Sequence, residues 1–185
     1  LLFPFWLTSC TAQNDNAETK RELADIVEKY YNNQDFMGSV LVAQNGNILL
    51  SEGYGFADIE NKIENTPNTC FYLASVSKLF TVACIAELKN KGLLNYSSTL
   101  SEFIPDYPNG DKITIEHLIQ HKSGIVDVVN DRPYDFKTEF TPISGLIEEF
   151  KHLPLHFPPG ENYQYCTSGY ILLAYIIEKV SGMSY

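Results

Sequence analysis

The hydrophobic pattern at the start of the chain predicts a helix followed by a β-hairpin. Over residues 17–33, apolar side chains recur at the spacing of one helix face, and charged residues cover the other. This stripe consists of Leu23, Ile26, Val27, Tyr30 and Tyr31. Two β-rich runs, residues 38–43 and 48–54, then flank an Asn-Gly pair at residues 45–46, which is a strong hairpin signal. A helix followed by an antiparallel hairpin argues against a Rossmann-type fold.

The remainder of the chain is predicted to be helical, with polar or proline-rich connections. After a turn-rich stretch at residues 58–70, the expected helices are residues 75–91, 114–121, 143–152 and 168–181. Thr114 is predicted to cap the second of these helices, and Gly182 to end the last. We therefore expect an α+β fold. Because a two-stranded hairpin is not a stable sheet by itself, we expect further strands beyond Tyr185.

Composition supports a packed core and excludes one class of partner. Hydrophobic residues make up 44% of the 185 residues and aromatic residues 13%, so the chain is not of the disordered type. The formal net charge is −10, with only 13 basic residues. Such a chain has too few cations to neutralise phosphates, and we expect no nucleic-acid partner.

The first ten residues predict a membrane-targeting segment rather than part of the folded domain. They are apolar but only about half as long as a membrane helix, as in the end of a signal peptide. Residues 7–10, Leu-Thr-Ser-Cys, resemble a bacterial lipobox, in which Cys10 is acylated, and residues 11–16 have the polarity of a tether. We therefore expect a lipid-anchored protein on the outer side of a bacterial membrane, with residues 1–16 outside the domain. A fusion scar or a frayed apolar end is the alternative.

The clearest chemical signal is a serine and a lysine one helical turn apart, Ser75 and Lys78. One Ser-x-x-Lys pair is expected by chance in a chain with 13 serines and 11 lysines, so its position carries the argument. The pair opens the most apolar helix, where a simple N-cap at Ser75 favours Glu or Gln three residues later. A lysine at that position has the wrong charge for the positive end of a helix. It can instead contact the serine and activate it as a nucleophile.

Other arrangements of reactive residues are weaker. His117 and His121 have the spacing of zinc ligands, but the acidic residue of a His-Glu-x-x-His motif is missing and no third ligand is evident. Ser184 begins a Gly-x-Ser-x-Gly pattern, yet it follows a helix rather than a strand. The cysteines other than Cys10 show no disulfide or zinc spacing, and Cys84 is expected in the core. We expect neither a metal nor a cofactor.

Four segments together resemble the serine β-lactamase-related family, which includes class C β-lactamases, D-alanyl-D-alanine carboxypeptidases and β-lactamase-like esterases. Residues 71–78 (FYLASVSK) are similar to its nucleophile motif, and residues 53–58 (GYGFAD) to its second strand. Residues 115–125 (IEHLIQHKSGI) are similar to its helix-and-turn signature, and the segment from residue 159 through Tyr165 to its Tyr-x-Asn region. The resemblance covers about residues 20–185, in order and with family-like spacing.

The resemblance implies a β-lactamase/transpeptidase-like fold, an antiparallel sheet flanked by helices, with residues 17–185 as its N-terminal part. It implies that Ser75 is the acylated nucleophile, Lys78 its proton acceptor and electrostatic partner, and Tyr165 a general base and later acid. The Ser75 N–H would supply half of an oxyanion hole, and His121 would be a structural turn residue. Because a second oxyanion donor and a third motif would lie on a later strand, we expect residues 1–185 alone to be inactive.

One departure from the family pattern concerns the substrate. The family usually has Asn where this chain has Thr167, and a hydroxyl reaches a substrate amide differently. We expect a monomeric serine hydrolase that acts on a small-molecule or peptide acyl substrate, an ester, amide or peptide, with Thr167 contacting it. A non-catalytic penicillin- or peptidoglycan-binding module of the same fold is the alternative.

The lipobox interpretation predicts that Cys10 carries a diacylglyceryl group when the protein is made in a bacterial host. Metabolic labelling with a palmitate analogue should label the wild-type protein and place it in the membrane fraction. Cys10→Ser should abolish both, because serine has no thiol to alkylate. A Cys10→Ser protein that still labels and sediments with membranes would contradict the prediction.

Overall fold

The computed structural model describes residues 9–128 and 142–185, with side chains from residue 17 onward. Residues 7 and 8 of the lipobox and the side chain of Cys10 therefore lie outside the described part of the chain. The chain divides into two compact units, Leu1–Tyr72 and Leu73–Tyr185. Within the described ranges, no helix combines the length and the apolar character needed to cross a bilayer.

The first unit is built around the predicted hairpin. Strands β1 (Gly38–Gln44) and β2 (Asn47–Tyr54) pair antiparallel, with Gly38 opposite Tyr54. A second ribbon follows, formed by β3 (Phe56–Asp58) and β4 (Ile63–Glu64). The first hairpin is confirmed, whereas the second was not predicted. Strands of three and two residues are too short to show an alternating pattern.

Helix α1 (Ser9–Asn32) precedes the hairpin and begins earlier than the predicted residue 17. It packs against β2, and its predicted apolar stripe is only partly covered. Leu23 and Val27 are half-buried, while Ile26 and Tyr30 are exposed. A narrow two-stranded ribbon offers too little surface to bury the whole stripe.

The second unit is helical and is arranged around its last helix. A 3₁₀ turn, Ala74–Ser77, leads into α2 (Lys78–Asn90). Short helices α3 (Leu100–Phe103), α4 (Ile115–Ile119) and α5 (Ile143–Phe150) precede α6 (Thr167–Ser181). Helices α2, α4 and α5 all pack against α6. The four predicted helices are thus confirmed, α2, α4 and α5 with shorter bounds and α6 with one additional residue at its start, and α3 is an addition.

Two predicted caps are present. The Thr114 hydroxyl accepts the His117 N–H at 3.2 Å, satisfying a backbone donor at the start of α4. Gly182 ends α6 with φ of 73°, the left-handed conformation that glycine adopts without steric cost. These caps explain why α4 and α6 begin and end close to the predicted positions.

The prediction that Cys84 is a core residue is wrong. The buried residues of α2 are Thr81, Ile85 and Leu88, which face α6, whereas Cys84 is exposed. Phe80, on the same outer side of α2, is 61% exposed. The helix is apolar around most of its circumference, so the sequence pattern does not reveal which side contacts a neighbour.

Candidate active site

Ser75 lies in the 3₁₀ turn that precedes α2, not at the start of the α-helix itself. The residue before it, Ala74, has a φ of 45°, which is uncommon for a residue with a Cβ and marks a strained turn. The first α-helical residue is Lys78, and no side chain caps this helix. The N-cap interpretation of Ser75 is therefore wrong, and the Ser75 side chain is exposed and available for other contacts.

The structure brings together Ser75, Lys78 and Tyr165, the three residues predicted to be catalytic. The Ser75 Oγ and Tyr165 hydroxyl oxygens are 2.6 Å apart, a short hydrogen bond in which either group can donate. Lys78 Nζ donates to Ser75 Oγ at 3.3 Å. The serine hydroxyl thus contacts both an ammonium group and a phenol. Lys78 is one turn away, but Tyr165 is 90 residues away in sequence.

Lys78 also lies over two aromatic rings. Its Nζ is 5.1 Å from the centroid of Tyr165 and 5.3 Å from that of Tyr170. Such cation–π contacts stabilise a charged ammonium group by roughly 0.5–2 kcal/mol. The Tyr170 hydroxyl donates to the Ile119 carbonyl at 3.0 Å, which fixes its ring. Sequence analysis did not single out Tyr170, because it is one of several apolar residues on α6.

The environment favours the ionised form of Tyr165. Partial burial raises its pKa, but hydrogen bonds from Lys78 and Ser75 and the positive charge of Lys78 lower it. The net result is a pKa of Tyr165 below the ordinary phenol value of 10.0. Its side chain remains 37% exposed, so the phenol is open to solvent and to an incoming substrate.

The turn after α4 holds the segment that leads to Tyr165. Gly124 has a φ of 74°, and a Cβ there would lie 2.1 Å from the Phe157 carbonyl oxygen, so the close approach requires glycine. The Gly124 carbonyl accepts the His156 N–H, and the Lys122 carbonyl accepts the Gly160 N–H, both at 2.8 Å. The glycine of the 115–125 motif is thus explained by packing.

Asp127 and His121 hold the backbone around Tyr165. The buried Asp127 carboxylate accepts the Thr167 N–H at 3.0 Å, at the positive end of α6. His121 Nδ1 accepts the Cys166 N–H, also at 3.0 Å. Asp127 was not identified from the sequence, because a single acidic residue 40 positions away carries no recognisable spacing.

Thr167, the predicted substrate contact, is the first residue of α6. It lines a cavity of about 270 Å³ together with Lys78, Tyr170 and apolar residues of α5 and α6. Thr167 and Lys78, whose ammonium group contacts Ser75, therefore line the same cavity. Its contact with a substrate remains a prediction.

The residues of the weaker signals have other surroundings. His117 Nδ1 accepts the Thr114 N–H at 3.3 Å within the cap of α4. Within the described ranges, no group of three His, Cys, Asp or Glu residues is placed to hold a metal ion. Ser184 follows the C-cap of α6, and no strand leads to it. Cys70, Cys84 and Cys166 are unpaired thiols.

Comparisons with known proteins agree with this architecture. A model of the Beta-lactamase family matches residues 23–185. Penicillin-binding protein 4* of Bacillus subtilis (strain 168) is 35% identical over 171 residues, which are 90% of this chain and 37% of that protein. Teichoic acid D-alanine hydrolase of Staphylococcus aureus (strain MRSA252) is 29% identical over 159 residues, 86% of this chain and 38% of the hydrolase. The chain spans less than two fifths of the length of these curated relatives.

The structural comparison points to the same fold. A penicillin-binding protein from Bacillus halodurans superimposes with a TM-score of 0.76 and 30% sequence identity, over 85% of this chain and 49% of that one. The expected β-lactamase/transpeptidase-like fold is therefore confirmed for the part of the fold that this chain covers. Since the family model matches nearly all of the chain that forms the two units, the chain belongs to the beta-lactamase family.

Proposed function

We propose that the protein is a serine hydrolase that forms an acyl-enzyme on Ser75 and transfers the acyl group to water. The observation that carries the proposal is the 2.6 Å contact between Ser75 Oγ and the Tyr165 hydroxyl, next to Lys78. A serine hydroxyl is a weak nucleophile until a neighbouring base takes its proton. In this chain it lies within hydrogen-bond distance of two groups that can take that proton or stabilise its transfer.

Tyr165 has the properties of the base in this mechanism. Because Lys78 and Ser75 stabilise its phenolate, a fraction of Tyr165 ionises below the pH of an ordinary tyrosine and accepts the Ser75 proton. Oγ then attacks the acyl carbon, and the resulting tetrahedral oxyanion is bound by donors such as the Ser75 N–H. The tyrosine returns the proton to the leaving group, and water repeats the sequence to release the acid.

Lys78 contributes charge in this mechanism. Its ammonium group contacts Ser75 Oγ and lies over the Tyr165 ring, so it stabilises negative charge on either oxygen. The contact with two tyrosine rings holds the ammonium in place, and in the described parts of the chain no salt bridge to a carboxylate neutralises its effect.

The substrate class follows from Thr167 and from the relatives. One relative is named for hydrolysing D-alanine from teichoic acid and another as a penicillin-binding protein. An acyl ester needs no amide-recognising group, whereas a β-lactam or peptide presents an amide that the Asn usual in the family can bind. We therefore propose esters, including D-alanyl esters, as preferred substrates, met at the outer face of a bacterial envelope by a protein anchored through Cys10.

A second candidate is a penicillin- or peptidoglycan-binding module that does not turn over. Thr167 is the observation that keeps it open, because the changed side chain alters substrate contacts next to Lys78. Mass spectrometry of the protein after mixing with an activated ester separates the two functions. A label on Ser75 that disappears with time indicates an enzyme, whereas a permanent label or no label indicates a binding module.

The proposed mechanism predicts strongly non-additive effects in the full-length protein. Ser75→Ala should abolish acylation by an activated ester, and adding Lys78→Ala should cost little more, because the residues act as a unit. Tyr165→Phe should lower the acylation rate by about 10²- to 10⁴-fold, the usual value of a positioned acid or base. The rates are measured in single-turnover experiments, alongside thermal melts to show that each variant folds.

Tyr163→Phe is the matched control for Tyr165→Phe. It removes a hydroxyl from an exposed tyrosine two residues away in the same segment, and its acylation rate should equal that of the wild type. Near-wild-type acylation in both Tyr165→Phe and Lys78→Met would exclude the proposed mechanism.

The lowered pKa of Tyr165 predicts a tyrosinate that appears below pH 10. The difference in ultraviolet absorption between wild type and Tyr165→Phe isolates this residue, and its midpoint should lie below the ordinary tyrosine pKa of 10.0. Lys78→Met removes a hydrogen bond and a positive charge that favour the phenolate, so the midpoint should rise. The acylation rate should increase with pH up to the same midpoint. A midpoint that Lys78→Met leaves unchanged would contradict the electrostatic role of Lys78.

The Thr167 side chain predicts a preference for ester over amide substrates, which one substitution should alter. Thr167→Asn restores an amide that both donates and accepts, so acylation by an amide or β-lactam substrate should rise relative to acylation by a matched ester. The quantity to compare is the ratio of the two kcat/KM values. Thr167→Val, similar in shape but without the hydroxyl, is the control and should not raise the ratio. Equal ratios in wild type and Thr167→Asn would exclude Thr167 as a specificity residue.

A further inference from the structure

His121 contacts the tyrosine segment from both sides of Tyr165. Its Nδ1 accepts the N–H of Cys166, the residue after Tyr165, at 3.0 Å. Its backbone carbonyl accepts the N–H of Gln164, the residue before Tyr165, also at 3.0 Å. One residue therefore holds the backbone on either side of the phenol, which restricts where the hydroxyl can lie.

The conformation of His121 makes this double contact possible. Its φ is 58°, in the left-handed region that is uncommon for residues other than glycine but in which asparagine, aspartate and histidine are enriched. The imidazole ring lies against Tyr165, with centroids 4.5 Å apart and planes at 31°, and against Tyr170, at 5.1 Å and 32°. The ring thus packs between the two tyrosines over which Lys78 lies.

We propose that His121, in its neutral form, is a positioning residue that aligns the Tyr165 hydroxyl with Ser75 Oγ by binding the backbone on both sides of Tyr165. This inference rests on the proposed function of Ser75 and Tyr165. A neutral imidazole that accepts at Nδ1 carries its proton on Nε2, whereas an imidazolium has no acceptor. Protonation therefore removes the bond to Cys166 and places a second positive charge near Lys78.

The surrounding groups support the neutral form. Partial burial lowers the pKa of His121 below 6.5, and so does the charge of Lys78, while the Asp127 carboxylate raises it by less. The Cys166 N–H bonds only to the neutral ring, so this bond also favours the neutral form. Among the described residues, the other titratable groups whose rings contact His121 are Tyr163, Tyr165 and Tyr170. Because the folded pKa is lowered, the unfolded chain binds the proton first as pH falls, and stability decreases below about pH 6.5.

The decisive comparison is between His121→Asn and His121→Gln in the full-length protein. Asparagine places a carbonyl oxygen near the position of Nδ1 and tolerates the left-handed conformation. Glutamine carries the same amide one methylene farther out, near the position of Nε2, away from Cys166. Neither side chain titrates. The pair therefore varies the position of the acceptor while keeping the same amide group. Thermal melts of both variants separate this effect from the lower tolerance of glutamine for the left-handed conformation.

Acylation of Ser75 by p-nitrophenyl acetate, followed by intact-mass spectrometry after quenching, should fall gradually with pH in the wild type as less Tyr165 is ionised. Below the lowered pKa of His121 the fall should become steeper, because the imidazolium releases the Cys166 N–H. His121→Asn should keep the rate at neutral pH within about threefold and show only the gradual decline that Tyr165 causes. His121→Gln should acylate about 10- to 100-fold more slowly, as expected for a misplaced catalytic group. His152→Asn, which removes an exposed histidine outside the Tyr165 segment, should keep the wild-type profile.

A second measurement does not depend on catalysis. The ultraviolet titration of Tyr165 should keep its lowered midpoint in His121→Asn and shift upward in His121→Gln, because the phenol leaves Lys78 and Ser75. If the wild type is never acylated but Tyr165 titrates in this way, the proposed function fails and the positioning role stands. A steeper acidic decline that persists in His121→Asn, or a wild-type rate and Tyr165 midpoint in His121→Gln, would overturn the proposal.

Discussion

The packing of α2 against α6 determines where the reactive groups lie. Ser75 and Lys78 are in and directly after the turn that opens α2, and Tyr165 immediately precedes α6. The buried faces of the two helices, among them Ile85, Leu88 and Leu173, form part of one continuous core. Burial of these side chains is worth far more than any single polar contact in the site. The hydrophobic core therefore determines the 2.6 Å distance between Ser75 Oγ and the Tyr165 hydroxyl oxygen, and the hydrogen bond is a consequence of that packing.

The sequence was sufficient for elements whose signals are local. The Asn-Gly hairpin, the Thr114 cap and the Gly182 end of α6 depend on neighbouring residues and were all found. The exposure of Cys84 was not predicted, because it depends on which face of an almost uniformly apolar helix contacts α6. The ribbon of β3 and β4 was missed because its strands are too short for a period to develop.

The same distinction applies to the site. Ser75 and Lys78 were predicted from one helical turn, and Tyr165 from a motif of the family. The contact of Ser75 with both groups depends on the three-dimensional fold, so no local sequence pattern predicts it. Asp127 and Tyr170 were missed altogether, since each acts through backbone atoms or a ring face rather than through a recognisable spacing. His121 was predicted to be structural, and its ring nitrogen does bind the backbone beside Tyr165.

The positive charge of Lys78 is useful because of how it is held. A carboxylate partner would cancel most of its field, whereas the faces of Tyr165 and Tyr170 stabilise the ammonium group and leave its charge intact. Asp127, the buried acidic residue of the described ranges, accepts the Thr167 N–H at the start of α6. It raises the pKa of Tyr165, but less than Lys78 lowers it. The negative charge of Asp127 therefore serves the backbone of α6, while the positive charge of Lys78 lies beside Ser75, where the proposed mechanism would develop an oxyanion.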